Sequence, residues 1–84
     1  MITIAVYQHR VLPTRALVTA TRGTWVEFYV EDHKNLSYLE ESVFEEAYQM
    51  FMDISNKPLY TEPELVELRK SVRAEGILVP REFD

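Results

Sequence analysis

The hydrophobic period of this chain changes once, near Leu36, and that change points to a sheet followed by helices. Ahead of it, Ile2, Ile4 and Val6 alternate with Thr3, Ala5 and Tyr7, the pattern of a strand half buried on its Ile/Val side. Residues 14–20 and 24–30 flank a turn at Thr21, Arg22 and Gly23 and read as a hairpin. A three-residue type I turn with Gly23 left-handed opposes Ala20 to Thr24, Val18 to Val26 and Ala16 to Phe28. That register sends Val18, Val26, Phe28 and Val30 into the core and turns Trp25 and Tyr29 the other way.

Beyond Leu36 the apolar residues Leu39, Val43, Ala47, Met50, Phe51 and Ile54 recur at three- and four-residue steps, which predicts a helix. Ser37 with Glu40 opens it as a capping box, and Asn56, Lys57 and Pro58 close it. A second helix is expected over 62–75. Thr61 caps it with Glu64, Tyr60 and Leu65 are placed as a hydrophobic staple, and Gly76 supplies a left-handed end with Ile77 set against Val72. Its buried stripe is Leu65, Leu68 and Val72. Residues 77–79 are expected to seal the core or add a strand. The expected fold is one α+β domain over 1–84, in the order βββαα. A small antiparallel sheet of three strands, with 77–79 as a candidate fourth, packs on one face against two C-terminal helices.

Composition narrows the function classes. With 46% hydrophobic and 27% charged residues the chain is too apolar for a disordered segment. At 84 residues its core is small, so a partner or a homodimer would add stability. The absence of cysteine excludes disulfides, thiolate metal sites and a thiol nucleophile. No run approaches the roughly 20 apolar residues of a membrane span, and no basic leader opens the chain, so a cytoplasmic protein that needs no membrane is expected.

Charge is unevenly spread around a net of −5. Residues 1–26 carry Arg10, Arg15 and Arg22 without a carboxylate, whereas 27–53 carry eight carboxylates against Lys34 alone. If 36–54 is one helix, Glu41, Glu45 and Asp53 fall in line with Gln49 at four-residue steps, flanked by Glu40 and Glu46. Like charges so spaced oppose the helix, and the expected use of such a ridge is docking on a basic partner surface. On the hairpin's outer face, Trp25 and Tyr29 would join Tyr7, Arg10 and Arg15, residue types that dominate interface hot spots and can stack on single-stranded bases.

No constellation of catalytic or metal-binding residues stands out. Glu31, Asp32 and His33 are adjacent in a connector, where side chains diverge, so no metal site is expected. His9 could pair with Ser37, Ser42, Ser55 or Ser71, but both glycines are already used by a turn and a cap, leaving no loop for an oxyanion hole. Tyr38, Phe44 and Tyr48 read as the rim of the core, and Met50 and Met52 as gap-fillers within it. The expectation is a non-catalytic protein-binding module without cofactor, a regulator or inhibitor of the small acidic kind that phages, among others, carry. The alternative is a nucleic-acid-associated subunit using Arg10, Arg15, Arg22, Trp25 and Tyr29, against which the sequence pI of about 5.0 weighs.

Overall fold

A computed structural model of the chain describes residues 2–31, 33, 35–53 and 60–84, Asp53 by its backbone alone. The fold is α+β. It consists of β1 (Ala5–His9), β2 (Arg15–Arg22), β3 (Trp25–Val30), β4 (Leu36–Glu40), α1 (Glu41–Ala47), β5 (Tyr48–Asp53), α2 (Glu62–Ala74) and a 3-10 turn at Arg81–Phe83. All five strands join one antiparallel sheet in the order β4-β3-β2-β1-β5, so β4 and β5 form its edges.

The expected first helix is therefore corrected to strand, short helix and strand. Ser37 and Glu40 lie in β4, where Ser37 pairs with Phe28 and Glu40 with Trp25, and α1 begins without a side-chain cap. The helix ends after two turns because Arg10, just past β1, takes two of its last carbonyls. Arg10 donates from its backbone N–H to the Ala47 carbonyl (2.8 Å) and from Nε to the Glu45 carbonyl (3.1 Å). Tyr48 is then extended and pairs with His9, opening β5. Ile54 and the stop signal at Asn56, Lys57 and Pro58 lie outside the described residues.

The two helices cover opposite faces of the sheet, not one. On the first face, Ala5, Tyr7, Ala16, Val18, Val26 and Phe28 pack with Phe44 of α1 and with Tyr48. Phe44, fully buried, lies 5.1 Å edge-on to Tyr7, 5.1 Å from Phe28 and 4.7 Å from Tyr48, with which it stacks. On the second face, Leu36 packs with Val72 of α2 and with Val79 and Phe83, flanked by Trp25, Tyr29, Tyr38 and Leu68. Burial on two sides explains why β1 has the opposite phase to that expected. Ala5 and Tyr7 are buried while Ile4 and Val6 are only half-buried, and Ile2 packs into the first core from ahead of the strand.

The hairpin changes its register, and Ala20, expected on the core face beside Val18, moves to the second face. Arg22 pairs with Trp25 across a two-residue Gly23-Thr24 loop in which Gly23 has φ 61°, as the first central position of a type II′ turn requires. A bulge between Val18 and Ala20 then leaves Val18 opposite Phe28 and Ala16 opposite Val30. Both differ from the expected pairs by two residues, an even shift, so Val18, Val26 and Phe28 remain in the core.

α2 follows its caps. Thr61 accepts from the Glu64 N–H while the Glu64 carboxylate accepts from the Thr61 N–H. At the other end Gly76 has φ 87°, with Gly76 N–H on Arg73 and Ile77 N–H on Val72, the paired bonds of a Schellman motif. Residues 77–79 add no strand. Val79 is buried against the second face and the 3-10 turn carries Phe83 in after it, so the tail seals the core.

Candidate functional site

The second face holds an ionic cluster. Glu27 on β3 is fully buried, and Arg69 on α2 is 2% exposed. Arg69 donates from Nε to Glu27 Oε2 (2.6 Å) and from Nη2 to Oε1 (3.0 Å). Tyr38 O–H donates to Oε2 (2.7 Å) and Thr19 O–H to Oε1 (2.8 Å), so the carboxylate accepts four bonds. Arg69 also reaches Glu62 (3.0 Å), which Arg22 meets from the hairpin (2.8 Å). The bond to Glu27 holds the Arg69 guanidinium above its ordinary pKa. Burial first, and the bond to Glu27 second, raise the Tyr38 phenol, while the bond to Arg69 draws the Glu62 carboxyl below the usual range. Each side-chain nitrogen of Arg69 and the hydroxyls of Tyr38 and Thr19 reach an acceptor within the cluster. It anchors α2 to the sheet.

The hairpin residues do not form one surface. Tyr7 is buried on the first face. Trp25 and Tyr29 are on the second, half-buried in the core beneath α2 and the tail, with the Tyr29 ring 6.4 Å from Tyr60. Arg10 and Arg15 are exposed, at the β5 side of the sheet. Arg15 lies over the Phe51 ring, 4.1 Å from its centroid.

The acidic residues are split as well. Glu40, Glu45 and Glu46 are exposed and Glu41 half-buried, all at or on α1, and the Glu41 carboxylate accepts from the Ile2 N–H (3.4 Å). Asp53 lies on β5, opposite Ala5, so no helical ridge joins it to the others.

His9 has a structural role. Its Nδ1 accepts from the Val11 and Leu12 N–H groups (3.1 and 3.0 Å), and its ring meets Tyr48 edge-on. Glu31 and His33 are exposed, Asp32 lies outside the described residues, and among the described residues no group of three or more His, Asp or Glu could hold a metal ion. No described helix is long and apolar enough to cross a membrane.

The surface that sequence reasoning missed is β5. Met50, Phe51 and Met52, expected to fill the core, are exposed at 48%, 48% and 53%. Three exposed apolar residues in succession on an edge strand are unusual, because natural sheets blunt such edges with charge or proline. The signal was present in the run Met50, Phe51, Met52, three consecutive apolar residues that one side of a surface helix does not accommodate. A second open feature is a groove of about 600 Å³ along β4, walled by Leu36, Tyr38, Ile77 and Leu78.

Comparison with models of protein families, with curated proteins and with solved structures finds no match for this chain.

Proposed function

We propose that the chain is a small non-catalytic protein-binding module, a regulator or inhibitor that acts by occupying a partner's surface. The observation that carries this reading is the β5 edge, where Met50, Phe51 and Met52 stand exposed beside Arg10 and Arg15. Apolar side chains on an open strand favour a protein partner, which can cover the side chains and pair with the backbone at once. The non-catalytic part draws support from the buried ionisable groups, since Glu27 and Arg69 are satisfied by each other and by Tyr38, Thr19 and Glu62.

A second contact surface within the same reading is the acidic group at α1, suited to a basic partner. Its support is that Glu40 and Glu46 are exposed with no basic partner among the described residues. The nucleic-acid reading has less to draw on, because the Trp25 and Tyr29 rings it would use lie beneath α2.

Affinity capture from host lysate with two surface variants tests both contacts. Phe51→Ser with Met52→Ser is expected to lose the captured protein, and Glu40→Lys with Glu46→Lys to keep it. The reverse pattern transfers the interface to α1. An intact chain that retains no protein contradicts the reading altogether.

A further inference from the structure

We propose that the outer edge of β5 takes an extended acidic segment of a partner protein as a sixth strand, with Arg10 and Arg15 meeting its carboxylates. This rests on the protein-binding reading above and names the partner's chemistry.

The backbone supplies the first argument. The Arg10 N–H bonds to the Ala47 carbonyl, and the register of Gln8 with Gln49 continues that ladder. Alternation in an antiparallel pair then directs Gln49 toward β1 and turns the Tyr48 C=O and both backbone groups of Met50 outward, the Tyr48 N–H being held by the Phe44 carbonyl. An added strand would pair with them, as in β-augmentation.

Side chains supply the second. The β1–β5 register shifts between Val6 and Tyr7, so that Met52 pairs with Val6 and Met50 with Tyr7, and Phe51 is the extra residue. Met50 therefore shares the first face with Tyr7, while Met52 and Phe51 go to the second, the latter beneath Arg15. Apolar contacts are thus offered on both sides of the edge.

Charge identifies the occupant. Arg10 donates to the Glu45 carbonyl and to Gln49, and Arg15 to Gln8, so neither guanidinium meets a carboxylate among the described residues. Elsewhere Arg22, Arg69 and Arg73 pair with acids, and Arg81, exposed in the 3-10 turn without an ion pair among the described residues, has no apolar strand beside it. Two guanidiniums that meet no carboxylate among the described residues, beside an apolar strand, suit a segment in which carboxylates alternate with apolar side chains. A nucleic-acid strand could not pair with the outward backbone groups as a peptide does, nor offer apolar side chains to Met50, Phe51 and Met52. A second copy paired through β5 about its centre would bring two Arg15 guanidiniums together over neighbouring Phe51 rings, which like charge opposes. Among the described residues lining the β4 groove there is no Lys, Arg, Asp or Glu to name an occupant.

The test titrates the ¹⁵N-labelled chain with a capped peptide of alternating valine and glutamate, with its lysine counterpart, and with the glutamate peptide N-methylated at alternate residues. The expected result is amide shifts concentrated on Tyr48–Asp53 with the glutamate peptide alone. Arg10→Glu with Arg15→Glu should then weaken the glutamate peptide about tenfold or more and strengthen the lysine peptide. The N-methylated probe needs no variant, so the backbone claim is tested even if the double reversal disturbs the fold. No binding by the glutamate peptide, equal binding of both charged peptides, undiminished binding of the N-methylated one, or shifts centred on β4 would overturn the proposal. So would preferential competition by oligothymidine, or a β5-paired dimer in sedimentation. If the double reversal still captures the host protein that the intact chain captures, the protein-binding reading stands and this inference fails. If the intact chain captures none, both fail.

Discussion

Arg69 and Glu27, 42 positions apart in sequence, close a two-bond fork inside a small domain core, and that fork fixes α2 on the second face of the sheet. A buried ion pair is costly to desolvate, so its net contribution is small, but removing one partner strands the other charge. Arg69→Met should cost about 3–5 kcal/mol in urea denaturation. Glu27→Leu combined with Arg69→Met should recover most of that loss, because it also removes the stranded carboxylate. A double variant as unstable as the single one would mean that the fork is worth more than its desolvation cost.

The same cluster sets the response to pH. The Tyr38 phenol is raised from its ordinary 10.0 by burial and by Glu27. A raised folded value gives stability that is complete below pH 10 and is lost as pH climbs toward the folded value. Tyr38→Phe, which cannot ionise, should flatten that alkaline decline while losing about 1 kcal/mol at neutral pH through the missing bond to Glu27. Glu62 has the opposite sign. Its lowered value gives stability present above 4.5 and lost as acid protonates it, so Glu62→Gln should reduce the acid dependence of the melting temperature.

Helix α2 was the most legible element, because its signals are local. Thr61, Glu64 and Gly76 act on backbone groups within a few residues, so the caps could be read without knowing the fold. The strand-helix-strand over 36–53 was not legible, since its boundaries depend on partners distant in sequence. Arg10 takes the carbonyls that end α1, and β1 supplies the pairing that makes Tyr48–Asp53 a strand. The apolar residues there fit a helical period by coincidence of two extended segments around a short turn of helix. The site suffered from the same error. Treating 36–54 as one helix aligned Glu41, Glu45 and Asp53 and hid Met50, Phe51 and Met52, and placing both helices on one face left Trp25 and Tyr29 open. Two signals for the buried pair were available. Arg69 falls within the stripe of Leu65, Leu68 and Val72, and Glu27 lies between Trp25 and Tyr29 on an otherwise apolar face.

Thr61→Ala should cost about 1 kcal/mol by removing the cap of α2. Gly76→Val should cost as much or more. The space beside Gly76 is open, so the penalty comes from its φ of 87°, which a β-branched residue resists. Thermal melts of the two variants check both values.

Phe44 tests the first core independently. As the ring that joins Tyr7, Phe28 and Tyr48, it should cost about 3–5 kcal/mol when replaced by alanine, measured by chemical denaturation. Phe51→Ser should change stability by much less, because Phe51 is 48% exposed, with Arg15 lying over its ring.

The central claim is that a protein partner sits on the β5 edge. A photo-activated cross-linking amino acid placed at Met50, with Val66 of α2 as the control position, tests it in the native host, since both residues are solvent-exposed. The account predicts a discrete covalent adduct between the chain and one polypeptide from position 50 and none from position 66. An adduct from position 66 alone, or none from either, would contradict it.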